Sequence, residues 1–113
     1  MKITNLEAVT FFNNVAAMKD KRLPVSILFA IKHNLNMFGN QLKAYEEARE
    51  SLNANIEDEV ERSKEMVALL NDGVEYDVKT IKASVIEKID GNDNYDALTY
   101  AEIEAITFMV EYE

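Results

Sequence analysis

Apolar positions recur along this chain at spacings that predict helix over most of its length and strand over one short stretch. The longest pattern opens at Pro24, whose missing N–H and fixed φ suit a first helical turn. Leu23, just before it, is pushed toward extended backbone. Leu28, Ile31, Leu35, Phe38, Leu42 and Tyr45, then Leu52 and Ile56, follow at three- and four-residue steps, which keeps one stripe on one face of a helix running from Pro24 to Leu52. Arg49 interrupts the stripe. Val25, Ile27, Phe29, Ala30 and Met37 add a second apolar flank to the first half, so that half is expected to be covered on two sides. The second half, carrying Lys43, Glu46, Glu47, Arg49 and Glu50, is expected to be covered on one.

Such a helix is long for its chain. About 29 residues at ~1.5 Å each reach roughly 44 Å, against a radius of gyration near ~13 Å for a compact chain of this size. It either bends at Gly39, where a helix glycine costs about 1 kcal/mol relative to Ala, or offers its far end to a partner. Leu35, Phe38, Leu42 and Tyr45 are the candidate interaction stripe, and self-association through it is expected. On this reading Leu35→Asp unfolds the protein, whereas Glu61→Ala barely alters its stability.

Ahead of the long helix, Met1 to Thr4 reads as extended. Thr4 with Glu7 forms a capping box for a first helix, whose buried face is expected to hold Leu6, Ala8, Val9, Phe12, Val15 and Ala16, with Phe11 and Met18 on its edge. The charged run Lys19 to Arg22 ends it, so the two helices are expected to make an antiparallel hairpin. Past Leu52, Asn55 is a candidate cap for a segment holding Val60, Met66, Val67, Leu69 and Leu70, and the pattern leaves open whether 24–70 is one bent helix or two. Gly73 after Asn71-Asp72 fits a left-handed helix exit. Val74, Tyr76 and Val78 alternate with Glu75, Asp77 and Lys79, a half-buried strand running to about Ile81, to be paired with Met1–Thr4 or with its copy in another subunit. Ser84 to Ile89 reads as a helical turn and Asp90 to Asp96 as a polar loop. Thr99 with Glu102 repeats the capping box and opens a last helix that docks Ile103, Ile106, Phe108, Met109 and Val110. The fold class expected is mainly α: a single domain over 1–113, a helical hairpin or bundle around one long helix, with a minor two-stranded β element.

Composition narrows the chemistry. The 113 residues are 48% hydrophobic, enough to bury a core without staples, and include no cysteine, which removes disulfides, thiolate nucleophiles and cysteine-ligated metals. The absence of cysteine fits an intracellular setting; the longest apolar run is too short to span a bilayer, and Met1 to Met18 lacks the pattern of a secretory signal. The net charge of −9 is unevenly placed. Residues 1–45 carry six Lys/Arg against two acids, or +4, and residues 46–113 carry six against nineteen, or −13. The acidic part is expected to repel nucleic acid; Lys19, Lys21 and Arg22 make one small basic spot.

His33 is the only histidine, so no nucleophile–base pair or histidine-led metal site can be assembled. Glu57, Glu61 and Glu65 follow at i,i+4, but without facing Glu-x-x-His pairs they read as a solvated face, with Asp58 spaced to meet Arg62 and Glu61 to meet Lys64. Asp90, Asn92, Asn94 and Asp96 imitate the start of a calcium loop. Tyr95 stands where that loop needs glycine and Ala101 where it needs a bidentate glutamate. No cofactor is expected, and no enzyme activity.

The order of motifs is informative in combination. The Met1-Lys2-Ile3 start, Leu23-Pro24-Val25 opening the long helix, Tyr45-Glu46-Glu47-Ala48-Arg49 along it, the acidic strand at Val74–Ile81, and the closing run from Leu98 to Ala105 with Phe108-Met109-Val110-Glu111 resemble a family of small uncharacterised proteins from tailed phages and prophages of Gram-positive bacteria. Departures are Gly39 in the long helix, Tyr100 where a proline is usual, and a shortened middle segment. The resemblance spans nearly the whole chain and implies a helical fold, a phage setting and the cytoplasm of the infected bacterial host; it carries over no catalytic residue. The function expected is a non-enzymatic protein–protein interaction protein, accessory to virion assembly, with a protein partner of phage or host and neither nucleic acid nor membrane bound directly. The alternative is a small acidic inhibitor of a host defence nuclease or other nucleic-acid-binding enzyme, with Glu46, Glu50, Glu57, Glu61 and Glu65 standing in for phosphates.

Overall fold

The computed structural model describes residues 1–112 and is mainly helical, with one long helix and a minor strand component. Two compact units share the described residues: one takes 1–9 and 38–77, the other 10–37 and 78 onward. Helices α1 (Asn5–Val15) and α2 (Val25–Asn55) each contribute residues to both.

In the first unit, strand β1 (Lys2–Thr4) pairs antiparallel with β2 (Gly73–Glu75), with Ile3 opposite Val74. The Tyr76 N–H donates to the Met1 carbonyl at 2.9 Å, the terminal ammonium to the Tyr76 carbonyl at 2.9 Å, and the Asn5 N–H to the Asp72 carbonyl at 2.8 Å, so the ladder is tied beyond both its ends. Of the two pairings left open by the sequence, with Met1–Thr4 or with a copy in another subunit, this is the first. Gly73 has a different reason from the one its sequence context suggests: the helix leaves through Asp72 in extended backbone, and a Cβ on Gly73 would come within 2.7 Å of the Ile3 carbonyl oxygen. Close approach of two strands, not a left-handed turn, requires the glycine.

Residues 24–70 are two helices. α2 runs unbroken past Gly39 to Asn55, and α3 (Glu59–Asn71) restarts after a short gap. Its cap is Asp58 rather than Asn55. The Asp58 carboxylate accepts from the N–H groups of Val60 (2.9 Å) and Glu61 (3.4 Å), while the Asn55 amide donates to Ser51 Oγ.

In the second unit the buried line of α1 is Phe11 and Val15, continued by Met18 in a 3₁₀ turn over Ala16–Asp20; together with Ala8 in the first unit this gives the spacing 8, 11, 15, 18. The expected face differs by one position: Leu6 and Phe12 are 49% and 55% exposed. Both phases of this helix are apolar, so periodicity alone cannot choose between them. Phe11 meets Phe108 edge-on at 5.3 Å, a favoured aromatic geometry. Strand β3 (Ile81–Lys82) pairs parallel with β4 (Val110–Glu111), Ile81 opposite Val110. A parallel pair requires a crossover, and helices α4 (Ala83–Glu87) and α5 (Tyr100–Ile106) lie on it. The stretch expected as one strand from Val74 to Ile81 is therefore two short strands with different partners. The last helix stops at Ile106, and Val110 is a strand residue.

Candidate functional site

On α2 the buried line is Ile27, Ile31, Asn34, Phe38, Gln41 and Tyr45, with Ala30 buried beside it. Their steps of four and three match the expected stripe only at Ile31, Phe38 and Tyr45. Leu28, Leu35 and Leu42 lie one position away and are half-buried, because the true line passes through two polar residues that a search for apolar periodicity skips.

The four candidate stripe residues are therefore not one seam. In the second unit, Leu35 joins Leu28 and Ile31 along a groove of about 320 Å³, walled by Val15 and Ala16 and carrying Lys19, Lys32 and Asn36. Neither lysine is paired with a carboxylate among the described residues. In the first unit, Phe38 is wholly buried with its ring 5.1 Å from that of Tyr76, and Leu42 is half-buried. Tyr45, 8% exposed, lines a cavity of about 260 Å³ with Asn5, Gln41 and Asp72.

The acidic candidates belong to the first unit, whose residues carry five Lys/Arg against twelve acids, a net −7; the second unit carries seven against nine, a net −2. Glu46 is held by Arg49 at 2.8 Å, and that hydrogen bond, with the attraction of the carboxylate, holds the guanidinium still more firmly protonated than usual. Among the described residues Glu50, Glu57 and Glu61 are exposed without an ion pair, and Glu65 lines an open cleft of about 550 Å³ with Lys2, Ser51, Leu69 and Asp72. The expected pairs Asp58–Arg62 and Glu61–Lys64 do not form. Arg62 instead donates to the Ile56 carbonyl at 3.1 Å.

The basic spot of the sequence is largely neutralised. Lys21 Nζ donates to Glu102 at 2.6 Å and to the Ala97 carbonyl at 2.8 Å. Arg22 grips Asp96 through its backbone N–H (2.7 Å) and guanidinium (3.0 and 3.3 Å), and this hydrogen bonding, the backbone contribution first, holds the Asp96 carboxyl below its ordinary value. Asp96 is thereby withdrawn from the calcium-like run. Glu102 closes the second capping box on Thr99 while itself 4% exposed. Burial pushes its carboxyl up, but hydrogen bonds from Lys21 and with Thr99 outweigh that and hold it below the ordinary range.

His33 is exposed and stacks on Phe29 with ring centroids 6.2 Å apart. Among the described residues there is no group of three or more His, Asp or Glu side chains placed to hold a metal, and no helix is long and apolar enough to cross a membrane. Asn34 and Gln41 are what sequence reasoning missed. The signal for them was present: each fills a vacant step of the 27, 31, 38, 45 line. No family model, no curated protein and no solved structure matches the chain.

Proposed function

We propose that the chain is a non-enzymatic protein-interaction protein of a tailed phage or prophage, acting in the cytoplasm of the infected host as an accessory to virion assembly. The observation that carries the interaction reading is the groove of Leu28, Ile31 and Leu35, an apolar trough whose two lysines lack carboxylate partners. An amphipathic helix with an apolar stripe and flanking carboxylates fits it: the stripe buries against the leucines, and the carboxylates meet Lys19 and Lys32. The motif order from Met1-Lys2-Ile3 to Phe108-Met109-Val110-Glu111 supports the phage setting.

The test is affinity capture from infected cells with the native chain, Leu35→Asp and Glu61→Ala. Leu35 is half-buried, so a folded Leu35→Asp variant is expected. A virion protein captured by the native chain and Glu61→Ala but lost with Leu35→Asp supports the proposal; one retained equally by all three overturns it. A second reading, nucleic-acid mimicry, is favoured by one observation: with Arg62 bonded to backbone, Glu50, Glu57, Glu61 and Glu65 stand without ion-pair partners. It requires a partner whose binding weakens steeply with salt and competes with DNA or RNA. A partner indifferent to salt, or binding nucleic acid and this chain together, excludes it.

A further inference from the structure

Helix α3 holds Val60, Met66, Val67, Leu69 and Leu70, yet none of its residues is buried. Met66, Leu69 and Leu70 are half-buried, whereas Val60 and Val67 are 65% and 58% exposed. At about 3.6 residues per turn a step of seven is close to two turns, so the two valines stand one above the other, with Leu69 nearly opposite them on the half-buried side. Valine is a poorer helix former than the Ala, Lys or Glu that suits a solvated face, so local propensity does not account for this stripe. Glu59 and Glu61 lie on either side of Val60, each about 100° round the helix from it. Both are exposed, and among the described residues neither has an ion pair.

The groove in the second unit has the matching form. Leu28 and Leu35 are also seven residues apart, about 10.5 Å along α2, and Lys19 and Lys32 stand at it on separate elements, the 3₁₀ turn and α2, both exposed. We propose, on the footing that the groove is a docking surface, that it receives α3 of a second copy of the chain, with Val60 and Val67 set along Leu28, Ile31 and Leu35, and Glu59 and Glu61 against the two lysines. An apolar stripe then meets an apolar floor, and two carboxylates meet two ammonium groups that have no carboxylate of their own. Lys64, exposed beside the valines, is the like charge on this face; its long stem lets the ammonium turn away to water. Groove and helix are different surfaces, so the contact is heterologous and each copy carries both halves of it. A helix face of two turns buries much less than the ~800 Å² per partner of a standard interface, so the association is weak, with a dissociation constant on the order of 100 µM. A virion protein that brings a similar helix to the groove displaces the second copy.

The test is sedimentation velocity on the full chain from about 10 µM to about 1 mM, a range that brackets the expected constant. The sedimentation coefficient of the native chain is expected to rise with concentration, and to rise less in high salt. Val67→Asp, at an exposed position, and Leu35→Asp are each expected to weaken association at least about tenfold. Lys32→Glu, also at an exposed position, reads the groove even if Leu35→Asp does not fold. Mixing is the decisive arm. Leu35→Asp keeps an intact α3 and Val67→Asp an intact groove, so an equimolar mixture of the two is expected to associate where neither does alone; a groove-to-groove contact predicts no such rescue. Lys64→Glu is expected to tighten association about threefold, by removing the one like charge. A native chain that stays monomeric throughout, association undiminished in Val67→Asp, or a mixture that stays monomeric overturns α3 as the occupant and leaves the groove reading to its own capture test. Association left intact by both Leu35→Asp and Lys32→Glu removes the groove itself as a docking surface, and α3 docking with it.

Discussion

Asn34 and Gln41 lie two turns apart on the buried face of one helix, and their surroundings treat them in opposite ways. Asn34, fully buried, donates to the Lys79 carbonyl at 2.9 Å and accepts from the Lys79 N–H at 2.9 Å, while its amide also lies 3.6 Å from Met109 Sδ. The side chain thus stands in for the peptide group of a neighbouring strand at Lys79, which lies between β2 and β3 and belongs to neither. Gln41 heads a chain of amides that ends in an empty lone pair. Burial of a polar group therefore does not mark a site by itself. Only the count of its partners separates a brace from a vacancy.

The largest effect that would sharpen this contrast is Asn34→Asp. A carboxylate cannot donate to the Lys79 carbonyl, and it carries a charge into a wholly buried position, so a loss of roughly 3 kcal/mol or more is expected in urea unfolding. A loss under about 1 kcal/mol would mean that the Lys79 pairing is not a brace. Glu102→Gln comes next, at about 1–2 kcal/mol, since it keeps an acceptor for Thr99 but loses the charge facing Lys21. Here pH gives a second reading. Because the folded carboxyl is held below its ordinary value of 4.5, its contribution is complete above that value and is lost as pH falls through the folded one. The difference in melting temperature between native chain and variant is thus expected at pH 7 and should shrink below about pH 4.5.

Legibility followed the locality of the physics. Both capping boxes are as the sequence implies, because a Thr and a Glu three residues apart settle the matter between themselves: Thr4 Oγ1 accepts the Glu7 N–H at 3.1 Å and Glu7 accepts the Thr4 N–H at 3.0 Å, as Thr99 and Glu102 do. The partner of the strand after Gly73 was readable only as a choice of two, Met1–Thr4 or its copy in another subunit, and the structure takes the first. Other tertiary choices were not readable. Which phase of α1 or α2 turns inward depends on what stands opposite, and on α2 the inward phase contains Asn34 and Gln41, residues an apolar pattern discards. The β3–β4 pair rests on two residues of each strand, too few for any alternation to register. The groove was half visible, since Leu28, Ile31 and Leu35 were on the expected stripe, whereas Lys32 was not, because nothing local distinguishes it from any solvated lysine.

Between the two amides, on the exposed side of α2, lies Gly39, with nothing within 4 Å of where a Cβ would stand. Gly39→Ala is expected to stabilise by up to about 1 kcal/mol through helix propensity alone. It serves as the control that touches neither network. A destabilisation on thermal melting would mean that α2 is not continuous there and that the helix register linking Asn34 to Gln41 does not hold.

The smallest effect is the most telling. Gln41→Met removes two donors, from the Ile3 carbonyl and from Asn5 Oδ1, and that loss is unfavourable. It also removes the orphaned Oε1, whose burial without a partner is unfavourable in the native chain, and a flexible thioether fills a similar volume. The two changes oppose each other, so urea unfolding is expected to place this variant within about 1 kcal/mol of the native chain, whereas Asn34→Met, which breaks two bonds and relieves nothing, should cost at least about 1.5 kcal/mol more. Equal costs at the two positions would mean that Oε1 is already satisfied in solution, by an ordered water held in the cavity. Gln41 would then be a brace like Asn34, and the opposition between them would be gone.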